Sequence, residues 1–211
     1  MRSVFAAVVA VVAGAQAQAA APTDAWREAF ELRGYQLGMT LDAFRKAKFP
    51  DAQRWPGARP VCTGDEESAR PAYFAVARTA ALQRTGAVAC RFYVEGSTAQ
   101  EAGLLIASRP TLVEFYFLPP EPEAEPRLFL IAASGPVMHF DRTETWLKRN
   151  LGQPNDRQEA EVDTPSGRPF LNQSIIWDNG ISTATLRQFS DGIEKMELQL
   201  SLRPLAELAA K

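Results

Sequence analysis

The sequence predicts an α+β protein made of two helix-plus-antiparallel-sheet repeats packed side by side. Three observations predict it. A short capped amphipathic segment, GYQLGMTLDAFRKAKFP, is weakly echoed in the second half of the chain by FDRTETWLKRNLGQP. Each segment is followed by runs in which apolar and polar residues alternate, the period of a half-buried strand. Turn-forming residues separate those runs at short intervals, as in antiparallel sheets with one wet face. The implied division is a leader over 1–19, a first repeat over 22–136 carrying a cysteine-bearing insert, and a second repeat over 137–211.

Arg2, the apolar run Val4 to Ala13 and the small-residue string AQAQAAA follow the order of parts in a secretory signal peptide. The run is too short to span a bilayer as a helix, so no membrane span is expected. No cysteine follows it, so no lipid anchor is expected either. Losing the leader removes Arg2 and takes the balance of 23 basic against 25 acidic residues from −2 to −3. A near-neutral, slightly acidic chain without a Lys/Arg tract argues against nucleic acid or an anionic membrane surface as the partner.

In the first helix Thr40 stands at the N-cap, with Asp42 at the positive end of the helix dipole. Met39 and Phe44 have the spacing of a hydrophobic staple. Leu41, Phe44 and Ala47 or Lys48 make the apolar stripe, and Pro50 stops it. In the second helix Asp141 with Glu144 reads as a capping box, and Gly152 with Pro154 as the C-terminal signature. Thr143, Trp146 or Leu147, Asn150 and Leu151 form its buried stripe. Both helices are too short to hold in water alone and need a sheet beneath them.

Cys62 and Cys90 are the only cysteines, and an exported chain with an even count pairs them more often than not. The bridge closes a loop of about 29 residues, worth about 3 to 4 kcal/mol in the chain-entropy model; two buried thiols are the alternative. Pro71 and Gly86 bracket a helix carrying Phe74, Ala77, Ala81 and Leu82, although AYFAV also reads as a strand. Val88 to Glu95 alternates and turns Cys90 inward. Thr111 to Leu118 alternates again, and Arg127 to Ala133 is more uniformly apolar. Between them PPEPEAEP reads as an extended, polyproline-like acidic loop that projects into solvent.

After the second helix, Asn155 to Pro169 reads as a polar loop. Gln173 to Trp177 and Ile181 to Phe189 flank Asp178-Asn179-Gly180, a strong hairpin signal. The last strand has Met196, Leu198, Leu200 and Leu202 inward, and Pro204 ends it.

The helix termini carry a resemblance. Gly38, Met39 and Thr40 before the first helix, Leu151, Gly152 and Pro154 after the second, and Trp177 before a hairpin turn resemble the SmpA/OmlA-like fold of outer-membrane lipoproteins associated with β-barrel assembly. In tandem the arrangement resembles the β-lactamase inhibitor protein. The resemblance implies a non-catalytic binding module outside the cytoplasm, in the periplasm or secreted, with a protein partner.

Catalytic signals are sparse. His139 is the only histidine and has no G-x-S-x-G elbow or free thiol to serve. Asp65, Glu66 and Glu67 lack the ligand spacing of a calcium loop, and no glycine-rich phosphate loop follows a strand. No cofactor or metal is expected. Tyr93 and Tyr116 fall on the strand faces opposite the buried ones, beside Arg91 and Glu114, and these four are the expected protein-binding surface. The alternative function is a small exported hydrolase with a pocket between the repeats, using His139 or a carboxylate pair.

Overall fold

In the computed structural model the described residues are 26–66, 86–95, 100–163, 169–190 and 193–210. The expected leader and the expected helix between Pro71 and Gly86 lie outside them.

The strands of the second half do not form a sheet of their own. Ten strands join in one antiparallel sheet, which overturns the expected pair of helix-plus-sheet repeats. Along its main path the order is β3 (Arg59–Cys62), β4 (Val88–Val94), β7 (Arg109–Leu118), β8 (Arg127–Pro136), β12 (Lys195–Leu202), β11 (Ser182–Arg187), β10 (Pro169–Asp178) and β9 (Asp156–Asp163). Two short strands complete it: β5 (Gln100–Glu101) pairs with β4, and β6 (Leu104–Ile106) pairs with β7. The join is β8 to β12, registered from Pro136 opposite Lys195 to Leu130 opposite Ser201. Left apart, these two strands would each expose a row of unpaired backbone groups; paired, they satisfy them and merge both halves.

Among the described residues helices are a minor component: α1 (Leu41–Lys46), α2 (Phe140–Leu151) and α3 (Arg203–Ala209). A hairpin of β1 (Glu31–Leu32) and β2 (Tyr35–Gln36) precedes α1. The Thr40 hydroxyl caps α1 by accepting from Ala43 N–H at 3.1 Å. Gly38, at φ +89°, sets up that cap, and a Cβ there would lie 3.0 Å from the Trp26 ring, so the position needs glycine for both conformation and space. The expected Asp141–Glu144 capping box does not form: α2 starts at Phe140 with no side-chain cap. Glu144 instead pairs with Arg157 at 2.5 Å and Lys148 at 2.6 Å. The buried stripe of α2 is Phe140, Thr143, Glu144 and Leu147, while Asn150 is exposed.

The loop before β8 ends differently from expectation. Pro126 C=O accepts from Leu41 N–H at 2.9 Å and Glu125 from Asp42 N–H at 3.2 Å, which tethers the acidic loop to the first turn of α1. The expected loop from Asn155 contains β9, a full-length edge strand paired with β10. β12 ends at Leu202, and Pro204 occupies the first turn of α3, where its missing N–H costs nothing.

One sheet face is sealed by the β1–β2 hairpin, α1 and α2. Phe44 is fully buried, its ring 4.9 to 5.4 Å from those of Tyr35, Phe92, Phe115 and Phe117. Trp177, under α2, donates its indole N–H to Gly152 C=O at 2.9 Å. Cys62 and Cys90 face each other across β3 and β4 on this buried side and form a disulfide.

The outer sheet face as candidate functional site

Residues directly opposite each other in an antiparallel pair share a face, so the register defines the second face. One row across it is Glu114, Ala132, Gln199, Thr185, Ile176 and Asp156. The rows on either side run Tyr116, Leu130, Ser201, Thr183, Asp178 and Leu112, Ser134, Glu197, Arg187, Ser174. Small and hydroxyl side chains dominate the centre. Gln199, Ser134 and Arg187 are exposed, and Ala132, Thr185, Thr183 and Ser201 are half-buried, so this part meets solvent.

Its polar groups are ordered by short contacts. Thr183 and Ser201 hydroxyls share a hydrogen bond of 2.7 Å. Gln199 donates to Glu197 at 2.9 Å, and Arg203 pairs with Asp178 at 2.5 Å. The Asp178 carboxyl lies below its ordinary range because Gly180 N–H donates to it, with Arg203 adding to the effect. Carboxylates of Glu114, Glu197, Asp178 and Asp156 are matched on this face by Arg91, Arg187, Arg203 and the exposed Lys195, and three of them are held in ion pairs.

At its β3–β4 end the same face is closed. Tyr93 is 1% exposed and Tyr116 7%, so neither forms the exposed aromatic pair that the sequence suggested. Val61, on the same side, is fully buried. Strand alternation placed both tyrosines opposite the main core; it carries no information about what else closes over them. They belong instead to a network with the expected Arg91 and Glu114. Arg91 donates through Nε to Glu114 Oε1 at 2.6 Å, again through Nη2, and through Nη1 to Glu101 at 2.5 Å. Tyr116 O–H donates to Glu114 Oε2 at 2.5 Å and Tyr93 O–H to Glu101 at 3.2 Å. Burial first, then the neighbouring Glu114 carboxylate, raises the Tyr116 phenol above its ordinary range. Burial works against the Arg91 charge, but Glu114 and then Glu101 outweigh it, and the net shift is upward. All four expected binding residues therefore meet, as a brace of two buried tyrosines and a half-buried ion pair beside the open rows. Glu101 is the member that sequence reasoning missed: it lies on the two-residue strand β5, which has no periodicity to read.

His139 lies in the 3₁₀ turn Val137–His139 ahead of α2, half-buried. Both possible thiol nucleophiles are bonded to each other. Among the described residues no cluster of three His, Cys, Asp or Glu side chains is placed to hold a metal ion, and no helix is long and apolar enough to cross a membrane. No protein-family model, curated protein or solved structure matches the chain.

Proposed function

We propose that this chain is an exported, non-catalytic protein-interaction module of the periplasm or extracellular space, working through the solvent-facing rows of its sheet. One observation carries the reading. Strands β8, β12, β11 and β10 present small hydrogen-bonding side chains around Ala132 to solvent, over a core that fixes the backbone beneath them. A rigid platform of small residues leaves room for a partner's loop and makes little demand on its own side-chain entropy when bound. The alternation of carboxylates and cations around the platform fits a partner with complementary polar groups around an apolar or aromatic tip. The disulfide suits an oxidising compartment. The resemblance of the helix termini to SmpA/OmlA-like lipoproteins and to the β-lactamase inhibitor protein supports protein binding outside the cytoplasm.

The test is site-specific photo-crosslinking in the native host. A benzophenone side chain at Thr185 or Gln199 should trap one defined protein, and the same probe at exposed Lys48, beyond α1, should not. A second substitution, Gln199→Arg, should weaken the trapped complex by at least about tenfold, about 1.4 kcal/mol, by adding positive charge and bulk to the platform. Equal crosslinking from Lys48, or an affinity unchanged by Gln199→Arg, refutes the assignment.

A further inference from the structure

The outward flank of α2 has two clefts, one on each side of Trp146. One, of about 640 Å³, lies between α2, the β1–β2 hairpin and the Asn179 turn. The other, of about 460 Å³, lies between α2 and the β6–β7 turn. Both volumes are in the range of small-molecule sites. Trp146 lines both and is half-buried, and its indole N–H makes no hydrogen bond to the protein.

The two sides differ in chemistry. On the β6–β7 side stand Arg142 and Arg149, seven residues apart and so about 10 Å apart along the helix. Both are exposed, and neither has a carboxylate partner among the described residues, although most described arginines do. Asp141 is the one carboxylate on this side, leaving an excess of positive charge in a chain whose net charge is −2. The turn opposite is the two-residue loop Ala107-Ser108 of the β6–β7 hairpin, at φ 50° and 65° as a type I′ turn requires. On the other side the lining brings the acceptors Glu28, Glu31 and Asn150, beside an Arg33 whose guanidinium is paired with Asp51. Glu28 is exposed and makes no ion pair among the described residues, and exposed Asn150 donates one N–H to Trp146 C=O at 2.7 Å, with no donor to its Oδ1 among the described residues.

We propose that this trough binds an acidic saccharide. Trp146 offers an aromatic face to a sugar ring, Glu28 and Asn150 accept from ring hydroxyls, and Arg142 and Arg149 take the carboxylates. A ring with donor hydroxyls on one side and anions on the other is the chemistry that uses both clefts at once. Arginine suits the anionic side because its planar fork matches a carboxylate in two parallel hydrogen bonds.

The test follows the indole N–H resonances of the 15N-labelled protein, with Trp146 assigned through Trp146→Phe. Trigalacturonate should move the Trp146 signal saturably and leave Trp26, Trp55 and Trp177 in place. Maltotriose, the neutral counterpart, should bind at least about tenfold more weakly. The double variant Arg142→Gln/Arg149→Gln changes two exposed, unpaired side chains, so it folds as the parent does; it should lose about tenfold or more in affinity for trigalacturonate. Three results overturn the proposal: no movement of the Trp146 signal up to about 10 mM trigalacturonate, an unchanged titration in the double variant, or an equal shift from inorganic phosphate alone, which would mark a simple anion site.

Discussion

Replacing Glu114 by glutamine isolates the brace at the closed end of the outer face. The carboxylate accepts on Oε1 from Arg91 and on Oε2 from Tyr116. A glutamine keeps one acceptor and puts an NH2 where the other stood, so either the guanidinium or the phenol then faces a donor. Arg91 keeps its ion pair with Glu101. Losing one member of a fully buried pair costs about 3–5 kcal/mol, whereas an exposed pair is worth about 0–1 kcal/mol. Side-chain exposures of 25% for Arg91 and 21% for Glu114 place this pair between those limits, so the expected loss is about 2 kcal/mol. For a chain of this size that lowers Tm by about 4–8 °C. Urea unfolding should show the loss in the midpoint with the slope unchanged. Tyr116→Phe alone should cost about 1 kcal/mol, and the double variant should cost less than the sum, because both changes break one hydrogen bond. A Glu114→Gln protein within about 0.5 kcal/mol of the parent would show that the brace contributes no more than an ordinary surface pair.

Three other outcomes follow. Phe44→Ala, beneath α1 and against four aromatic rings, should destabilise by about 3–5 kcal/mol in the same assay. Removing the Cys62–Cys90 bridge, whose partners are 28 residues apart, should cost about 3–4 kcal/mol, and an alkylated protein whose intact mass is the same with and without prior reduction would contradict the bridge itself. Asp178 is held below its ordinary 3.8 by Gly180 N–H first and Arg203 after it. A lowered carboxyl adds stability that is present above the unfolded value and lost as the pH falls through the folded one. The Gly180 amide resonance should therefore titrate with a midpoint below 3.8; a midpoint at or above that value refutes the contact.

Local features of the fold were legible because local chemistry decides them. Thr40 caps α1 with its own side chain, Asp178-Asn179-Gly180 turns the chain at φ +85° on glycine, and Met196 to Leu202 alternates because one side of β12 is dry. The union of β8 with β12 was not legible, since backbone pairs with backbone there and side chains leave no record of which strand is neighbour to which. It is this union that makes one sheet out of two expected repeats. β9 escaped for a related reason. An edge strand held on one side and wet on its exposed side chains gives no apolar period, and DRQEAEVD reads as a loop. Glu144 shows the limit of short motifs: the spacing that spells a capping box also suits an ion pair with Arg157, and tertiary geometry chose the latter. At the outer face, sequence located Arg91, Tyr93, Glu114 and Tyr116 on the right side of their strands. Whether such a side is open or shut depends on residues far along the chain.

The polar composition that hid β9 has a consequence for how the molecule behaves in a crowded compartment. A broad antiparallel sheet has two borders, and each is a template on which a foreign strand can crystallise into a fibril. Along β9 the sequence sets Asp156, Arg157, Glu159, Glu161 and Asp163 in close succession, so a second copy approaching in register meets like charges. At the opposite border β3 is four residues long and contains Pro60, which has no N–H to offer. Both margins are thereby made poor nuclei, and the protein can keep a wide sheet without seeding its own aggregation.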